Sequence, residues 1–129
     1  MADGNGSLDF AGPEWVQEAS RYMGELISPL SDRLAGIRFT YVEEFTDPPA
    51  HLAQDTGRVA WYLAIDGPNV EIGTGVPDGK SPSVTADYRF AVGEARKPAQ
   101  RGEMTGVLAP VFADFHDHMA AVTAPIGGD

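Results

Sequence analysis

The chain has 129 residues, with nine Lys or Arg against nineteen Asp or Glu, so its formal net charge at pH 7 is −10. That length suits one domain, and 43% hydrophobic residues are enough to build a core. The negative charge disfavours nucleic acid as a partner, because Lys and Arg provide most of that affinity, and the absence of Cys excludes disulfides, thiolate metal sites and Cys nucleophiles.

The first ten residues contain neither a basic segment nor an apolar stretch typical of a secretion signal. The longest apolar run covers residues 59–65, far short of the roughly twenty residues that a membrane helix needs. We therefore expect a cytoplasmic protein without stable membrane insertion. Residues 1–12 and 124–129 are predicted to be flexible tails around a single domain at 13–123.

A helix is predicted to begin at Pro13, since proline fits the first helical turn and Glu14 complements the helix dipole there. Apolar residues then recur at steps of three and four, which places them on one face and predicts a helix that ends near Pro29. These residues are Trp15, Val16, Ala19, Tyr22, Met23, Leu26 and Ile27.

From Ile37 the spacing changes to two, which predicts strands. One face of the first strand carries Ile37, Phe39, Tyr41, Glu43 and Phe45. In the next segment the apolar residues Val59, Trp61, Leu63 and Ile65 alternate with the others. The turn residues 66–69 are followed by a returning strand, so residues 58–74 are predicted to form an antiparallel hairpin.

The last third of the chain is predicted to be mostly helical. After a short strand at residues 84–86, Asp87 is a plausible N-cap for a helix that ends before Pro98. Apolar residues then keep a helical spacing from Met104 to Val122, and Pro110 either starts a second helix or kinks a single one. The predicted fold class is α+β, with a curved antiparallel sheet of four to five strands and the N- and C-terminal helices on one face.

Three stretches resemble a known family. Residues 10–16, Phe-Ala-Gly-Pro-Glu-Trp-Val, resemble the opening of small bacterial members of the sterol carrier protein 2 superfamily. Residues 57–67 are similar to the central strands of that family, and residues 82–88 to its late passage from strand to helix. The resemblance covers residues 10–97 and implies a domain that shelters a lipid, fatty acyl group or sterol between sheet and helices.

The first functional hypothesis is therefore non-catalytic binding or carrying of a small hydrophobic molecule. Adaptable Met and amphipathic Tyr and Trp side chains suit the wall of an apolar pocket. The candidate ligand-binding residues are Tyr41, Trp61, Leu63, Phe90, Phe112, Phe115 and Met119.

Titratable side chains supply a second hypothesis, a small isomerase, cyclase or dehydratase. Glu43 shares a strand face with Tyr41, where an unpaired carboxylate would be costly unless it sits at a frayed end or pairs with an arginine. Asp114 and His118 are four residues apart on a helix and can touch, and either they or Glu43 could act as base. His116 and His118 point to nearly opposite sides, so no metal site is expected.

His51 follows two prolines in a loop, and no partner for it is visible nearby, so it is interpreted as an ordinary loop residue. A third hypothesis makes the chain an interaction subunit that uses its C-terminal amphipathic helix. No cofactor is predicted, and the chain is expected to be a monomer or homodimer.

Overall fold

The computed structural model describes residues 8–99, 106 and 108–125. Helix α1 covers Pro13–Ile27 and is followed by a short 3-10 helix at Ser28–Arg33. Strand β1 (Arg38–Thr46) is followed by a 3-10 turn at Ala50–Leu52. The remaining elements are β2 (Val59–Asp66), β3 (Asn69–Thr74), β4 (Val84–Asp87), α2 (Tyr88–Ala95) and α3 (Ala109–Val122).

The predicted α+β class is confirmed: the four strands form one sheet in the order β3-β2-β1-β4 within a single small domain. The β2–β3 hairpin is also confirmed, and β1 pairs antiparallel with β2. The expectation of an antiparallel sheet is wrong at one edge, because β4 runs parallel to β1. A parallel pair needs a crossover connection, and here the segment after β3 crosses from one sheet edge to the other.

The end of that connection is hydrogen-bonded to the edge of β1. The Ser83 backbone N–H donates to the Val42 carbonyl oxygen at 2.7 Å, and the Val42 N–H donates to the Ser83 hydroxyl at 3.2 Å. The Val42 side chain is completely buried although it lies outside the main core. The crossing segment therefore pairs with the edge of β1 one residue before β4 begins.

The main core lies between the other sheet face and the helices. α1 buries Trp15, Val16, Ala19, Met23 and Ile27, as the helical spacing predicts. The Trp15 ring centroid is 5.1 Å from that of Trp61 on β2, and Trp61 also faces Phe115 of α3 at 6.5 Å. The N- and C-terminal helices thus pack on the same face of the sheet.

The helix starts agree with the local signals. The Asp87 carboxylate accepts a hydrogen bond from the Phe90 N–H at 3.2 Å, which confirms the predicted N-cap of α2. Pro110 occupies the first turn of α3, so it starts a helix. Of the residues predicted to lie in the last helix, Met104 and Val107 fall outside the described residues. No helix in the described part of the chain is long and apolar enough to cross a membrane.

Residues 8–12, placed in a tail by the sequence analysis, belong to the folded domain. The Leu8 N–H donates to the Val122 carbonyl oxygen at 2.9 Å, and the Ala124 N–H donates to the Leu8 carbonyl oxygen at 2.8 Å. Phe10 and Ala11 are both buried, and Ala11 adopts a left-handed backbone with φ 63°. Leu8 is thereby joined to the end of α3 and the residues that follow it; residues 1–7 and 126–129 lie outside the described residues.

Candidate functional site

A groove of about 320 Å³ lies between the sheet and α3, and we call it the α3 groove. Its volume is within the range of about 300–1,000 Å³ typical of small-molecule sites. The sheet contributes alternate residues of β1 and β2, and α3 contributes three residues of one face. The lining residues are Phe39, Tyr41, Glu43, Trp61, Leu63, Phe112, Phe115 and His116.

Strand register places the sheet side of the groove. Tyr41 is paired with Leu63, and Glu43 with Trp61, so their side chains stand side by side on the helix-facing surface. On the opposite wall, Phe112 meets Phe39 edge-on at 6.2 Å between ring centroids. Large aromatic rings span the gap between α3 and the sheet, and the space between those rings forms the groove.

Glu43 is the polar centre of this apolar wall. One of its oxygens, Oε1, accepts a hydrogen bond from the Trp61 indole N–H at 2.8 Å, and Oε2 accepts one from the Tyr41 hydroxyl at 2.5 Å. Burial, together with the adjacent Glu43 carboxylate, holds the pKa of Tyr41 above its usual range. Tyr41 therefore stays a neutral donor, and the three side chains form one fixed polar cluster.

A second compartment of about 300 Å³ adjoins the groove. The two share Glu43, Trp61 and His116, so the polar centre lies at their junction. The His116 Nε2 lies 2.7 Å from the Lys97 carbonyl oxygen, which only accepts hydrogen bonds, so this nitrogen carries a hydrogen. His116 thus links α3 to the chain segment that follows α2.

The structure brings together five of the seven predicted ligand-binding residues, Tyr41, Trp61, Leu63, Phe112 and Phe115. Phe90 lines the second compartment instead, and its side chain is 63% exposed. Met119 is buried in the core and is not among the residues that line the groove.

The other titratable candidates lie away from the groove. Asp114 is exposed, and the His118 Nε2 lies 2.5 Å from an oxygen of Glu18 on α1. The His118 ring also stacks on Tyr22, with 3.8 Å between centroids. Asp114 and His118, predicted as a candidate catalytic base, therefore do not line the groove. On α3, His118 is directed toward α1 and His116 toward the groove.

A larger cleft of about 530 Å³ lies on another side of the molecule, next to His51. The His51 Nε2 lies 2.9 Å from Oδ2 of Asp9, a partner that the sequence analysis missed because it assigned residue 9 to a tail. Both side chains are more than half exposed, and such surface pairs contribute little to stability. In the described ranges, no group of three His, Asp or Glu side chains is placed to hold a metal ion.

Sequence reasoning missed two lining residues, Phe39 and His116. Strand alternation placed Phe39 on the correct face, but Phe39 was not among the predicted ligand-binding residues. His116 was considered only as a metal ligand together with His118. Their opposite directions were predicted, but only the position of α3 over the sheet shows that His116 is the one that lines the groove.

Comparison with known proteins adds no assignment: no family model, curated protein or solved structure matches this chain. The resemblance to the sterol carrier protein 2 superfamily therefore stays a prediction that depends on the residues alone.

Proposed function

We propose that this protein binds a small hydrophobic molecule in the α3 groove, without catalysing a reaction on it. The observation that carries the proposal is an aromatic groove of about 320 Å³ with one polar cluster in its wall. Removing apolar ligand surface from water would contribute about 25 cal/mol per Å², before the entropic cost of binding. The resemblance to sterol carrier proteins, which implies such a ligand, supports the same proposal.

The polar cluster favours holding a ligand over moving a proton. Glu43 is held in place by hydrogen bonds from two groove side chains, and the Nε2 of His116, the other proton-transfer candidate in the groove, is turned to the backbone of Lys97. A general base must reach the proton that it removes, whereas a binding group needs only a fixed position. The enzyme hypothesis is therefore the weaker of the two.

The burial of α3 also argues against an interaction subunit built on that helix. Its apolar residues Val111, Phe115, Met119 and Val122 are already buried within the domain. Of the large apolar side chains of α3, only that of Phe112 is left half-buried.

The proposal is tested by NMR of the ¹⁵N-labelled protein, with 1-decanol added as a neutral apolar probe. Trp61 lines the groove and donates its indole N–H to Glu43, while Trp15, the other tryptophan, donates to buried Thr123. The two indole signals are thus a reporter and an internal reference. We expect 1-decanol to shift the Trp61 signal and leave that of Trp15 in place.

Phe112→Asp puts a charge at the groove and should abolish the Trp61 shift. Ala121→Asp adds the same charge at an exposed position of the same helix and should preserve it. Native mass spectrometry of the protein as purified, with organic extraction, would identify a co-purifying ligand. The absence of any Trp61 shift with 1-decanol, decylamine and decanoate would refute the proposal.

A further inference from the structure

Glu43 has no cationic partner in the described part of the chain. The neighbouring arginines are engaged elsewhere: Arg58 pairs with Glu44 at 3.1 Å and Arg38 with Asp66 at 3.3 Å. The carboxylate is held by two neutral donors, the Tyr41 hydroxyl and the Trp61 indole N–H. Among the described lining residues, the α3 groove therefore presents one carboxylate, one histidine and six apolar or aromatic side chains.

A charge in apolar surroundings costs free energy unless a charge of opposite sign accompanies it. We infer that the ligand of the α3 groove is a cationic amphiphile, whose apolar body lies between α3 and the sheet and whose protonated amine binds Glu43. This inference rests on the proposed function and names its ligand class. A fatty acid would bring its own carboxylate toward Glu43 and is disfavoured by the repulsion between like charges.

The geometry around Glu43 suits an ammonium group in two further ways. Each carboxylate oxygen has two lone pairs and accepts one hydrogen bond from the groove wall, so acceptor capacity remains on both. Trp61 and Tyr41, with ring centroids 6.4 Å apart, carry the donors that hold the carboxylate, and aromatic rings near an ammonium group add attraction. The same rings contact an alkyl or aryl body equally well.

His116 forms no ion pair with Glu43 in the described part of the chain. Its Nε2 donates instead to the Lys97 carbonyl oxygen at 2.7 Å. The net charge of −10 gives the whole molecule a preference for cations, so the experiment has to separate Glu43 from this general attraction.

The test compares decylamine, 1-decanol and decanoate, which share one alkyl chain, at about pH 8, where an alkylamine is still protonated. Affinities are measured by calorimetry, and the Trp61 indole signal locates the binding. We expect decylamine to bind about tenfold or more tightly than 1-decanol, and decanoate to bind most weakly. A tenfold ratio corresponds to about 1.4 kcal/mol.

Glu43→Gln should remove the preference for the amine while leaving 1-decanol affinity nearly unchanged. Glu71→Gln is the matched control, because Glu71 also accepts a hydrogen bond from a tyrosine hydroxyl, that of Tyr62 at 2.8 Å, on the opposite sheet face. Glu71→Gln removes one negative charge, as Glu43→Gln does, but it should keep the preference for decylamine over 1-decanol. The wild-type comparison needs no variant, so the inference can be tested even if Glu43→Gln fails to fold.

Equal binding of decylamine and 1-decanol to the wild type, with a Trp61 shift for both, would overturn the inference and leave the proposed function intact. A loss of preference in Glu71→Gln as large as in Glu43→Gln would also overturn it, since general charge would then explain the effect. Failure of all three probes to shift Trp61 would instead refute the proposed function.

Discussion

A single buried hydroxyl joins the first and last helices of the domain. The Trp15 indole N–H donates to the Thr123 hydroxyl oxygen at 3.0 Å, and that hydroxyl donates to the Met119 carbonyl oxygen at 2.5 Å. Thr123 is completely inaccessible to solvent, so water cannot replace either bond. A buried donor without a partner carries its full desolvation cost.

Thr123→Val keeps the shape of the side chain and removes the hydroxyl. We expect the free energy of unfolding to fall by about 1–3 kcal/mol, because the Trp15 indole N–H is left without an acceptor. Urea denaturation measures the change. In a Trp15→Phe background the same substitution should cost less, as no indole N–H remains to be satisfied; an equal cost in both backgrounds would contradict this explanation.

Glu18 makes a second polar contact between α1 and α3. Its carboxylate accepts hydrogen bonds from Arg21, at 2.6 and 2.9 Å, and lies 2.5 Å from the His118 Nε2. The Arg21 hydrogen bonds are the largest influence and, with His118, lower the pKa of Glu18 to about 2 against the opposing effect of burial. The Glu18 carboxylate thus links α1 to His118 of α3, which is one hundred residues away in sequence.

The depressed pKa of Glu18 makes this contact sensitive to acid. Its stabilisation is fully present above the ordinary value of 4.5 and is lost as the pH falls toward about 2. We expect Glu18→Gln to be less stable than the wild type near neutral pH, and the difference to shrink between pH 4.5 and about 2. Urea denaturation across this pH range measures it.

Glu25→Gln is the control for that series. Glu25 also pairs with Arg21, but its side chain is 60% exposed and lies on the solvent side of α1. Its removal should change stability little at any pH, since exposed ion pairs contribute about 0–1 kcal/mol. If the difference in the free energy of unfolding between the wild type and Glu18→Gln does not become smaller in acid, the role of Glu18 is contradicted.

Phe10 connects the N-terminal segment to the whole core. Its ring lies 5.0 Å from those of both Trp15 and Phe45, and its carbonyl oxygen accepts a hydrogen bond from the Tyr88 hydroxyl at 2.8 Å. Burial, reinforced by the charge of Asp9, holds the pKa of Tyr88 above its usual range. The segment before α1 therefore packs against α1, the sheet and α2 at once.

The same substitution at two phenylalanines tests this arrangement. Phe10→Ala should lower the free energy of unfolding by about 3–5 kcal/mol, the usual cost of emptying a core aromatic site. Phe90→Ala should change it by about 0.5 kcal/mol or less, because that ring is 63% exposed although it lies in a helix. Thermal or urea unfolding measures the stability of both variants. A similar loss of stability in the two variants would contradict the packing of Phe10 in the core.

Much of the groove was predictable from local patterns. Alternation along β1 and β2 placed Tyr41, Glu43, Trp61 and Leu63 on one face, and helical spacing selected Phe112 and Phe115. The same patterns could not distinguish Met119, which does not line the groove, from the residues that do. Nor could they show that Phe90 would face outward.

By itself, the sequence determined the elements and their apolar faces, because side-chain spacing and caps such as Asp87 act within a few residues. Only the tertiary structure decided the parallel pairing of β4, the burial of Phe10 and the hydrogen bonds that Trp61 and Tyr41 donate to Glu43. These features join segments that are distant in sequence or depend on strand register. Their free energies come from contacts that no local spacing encodes.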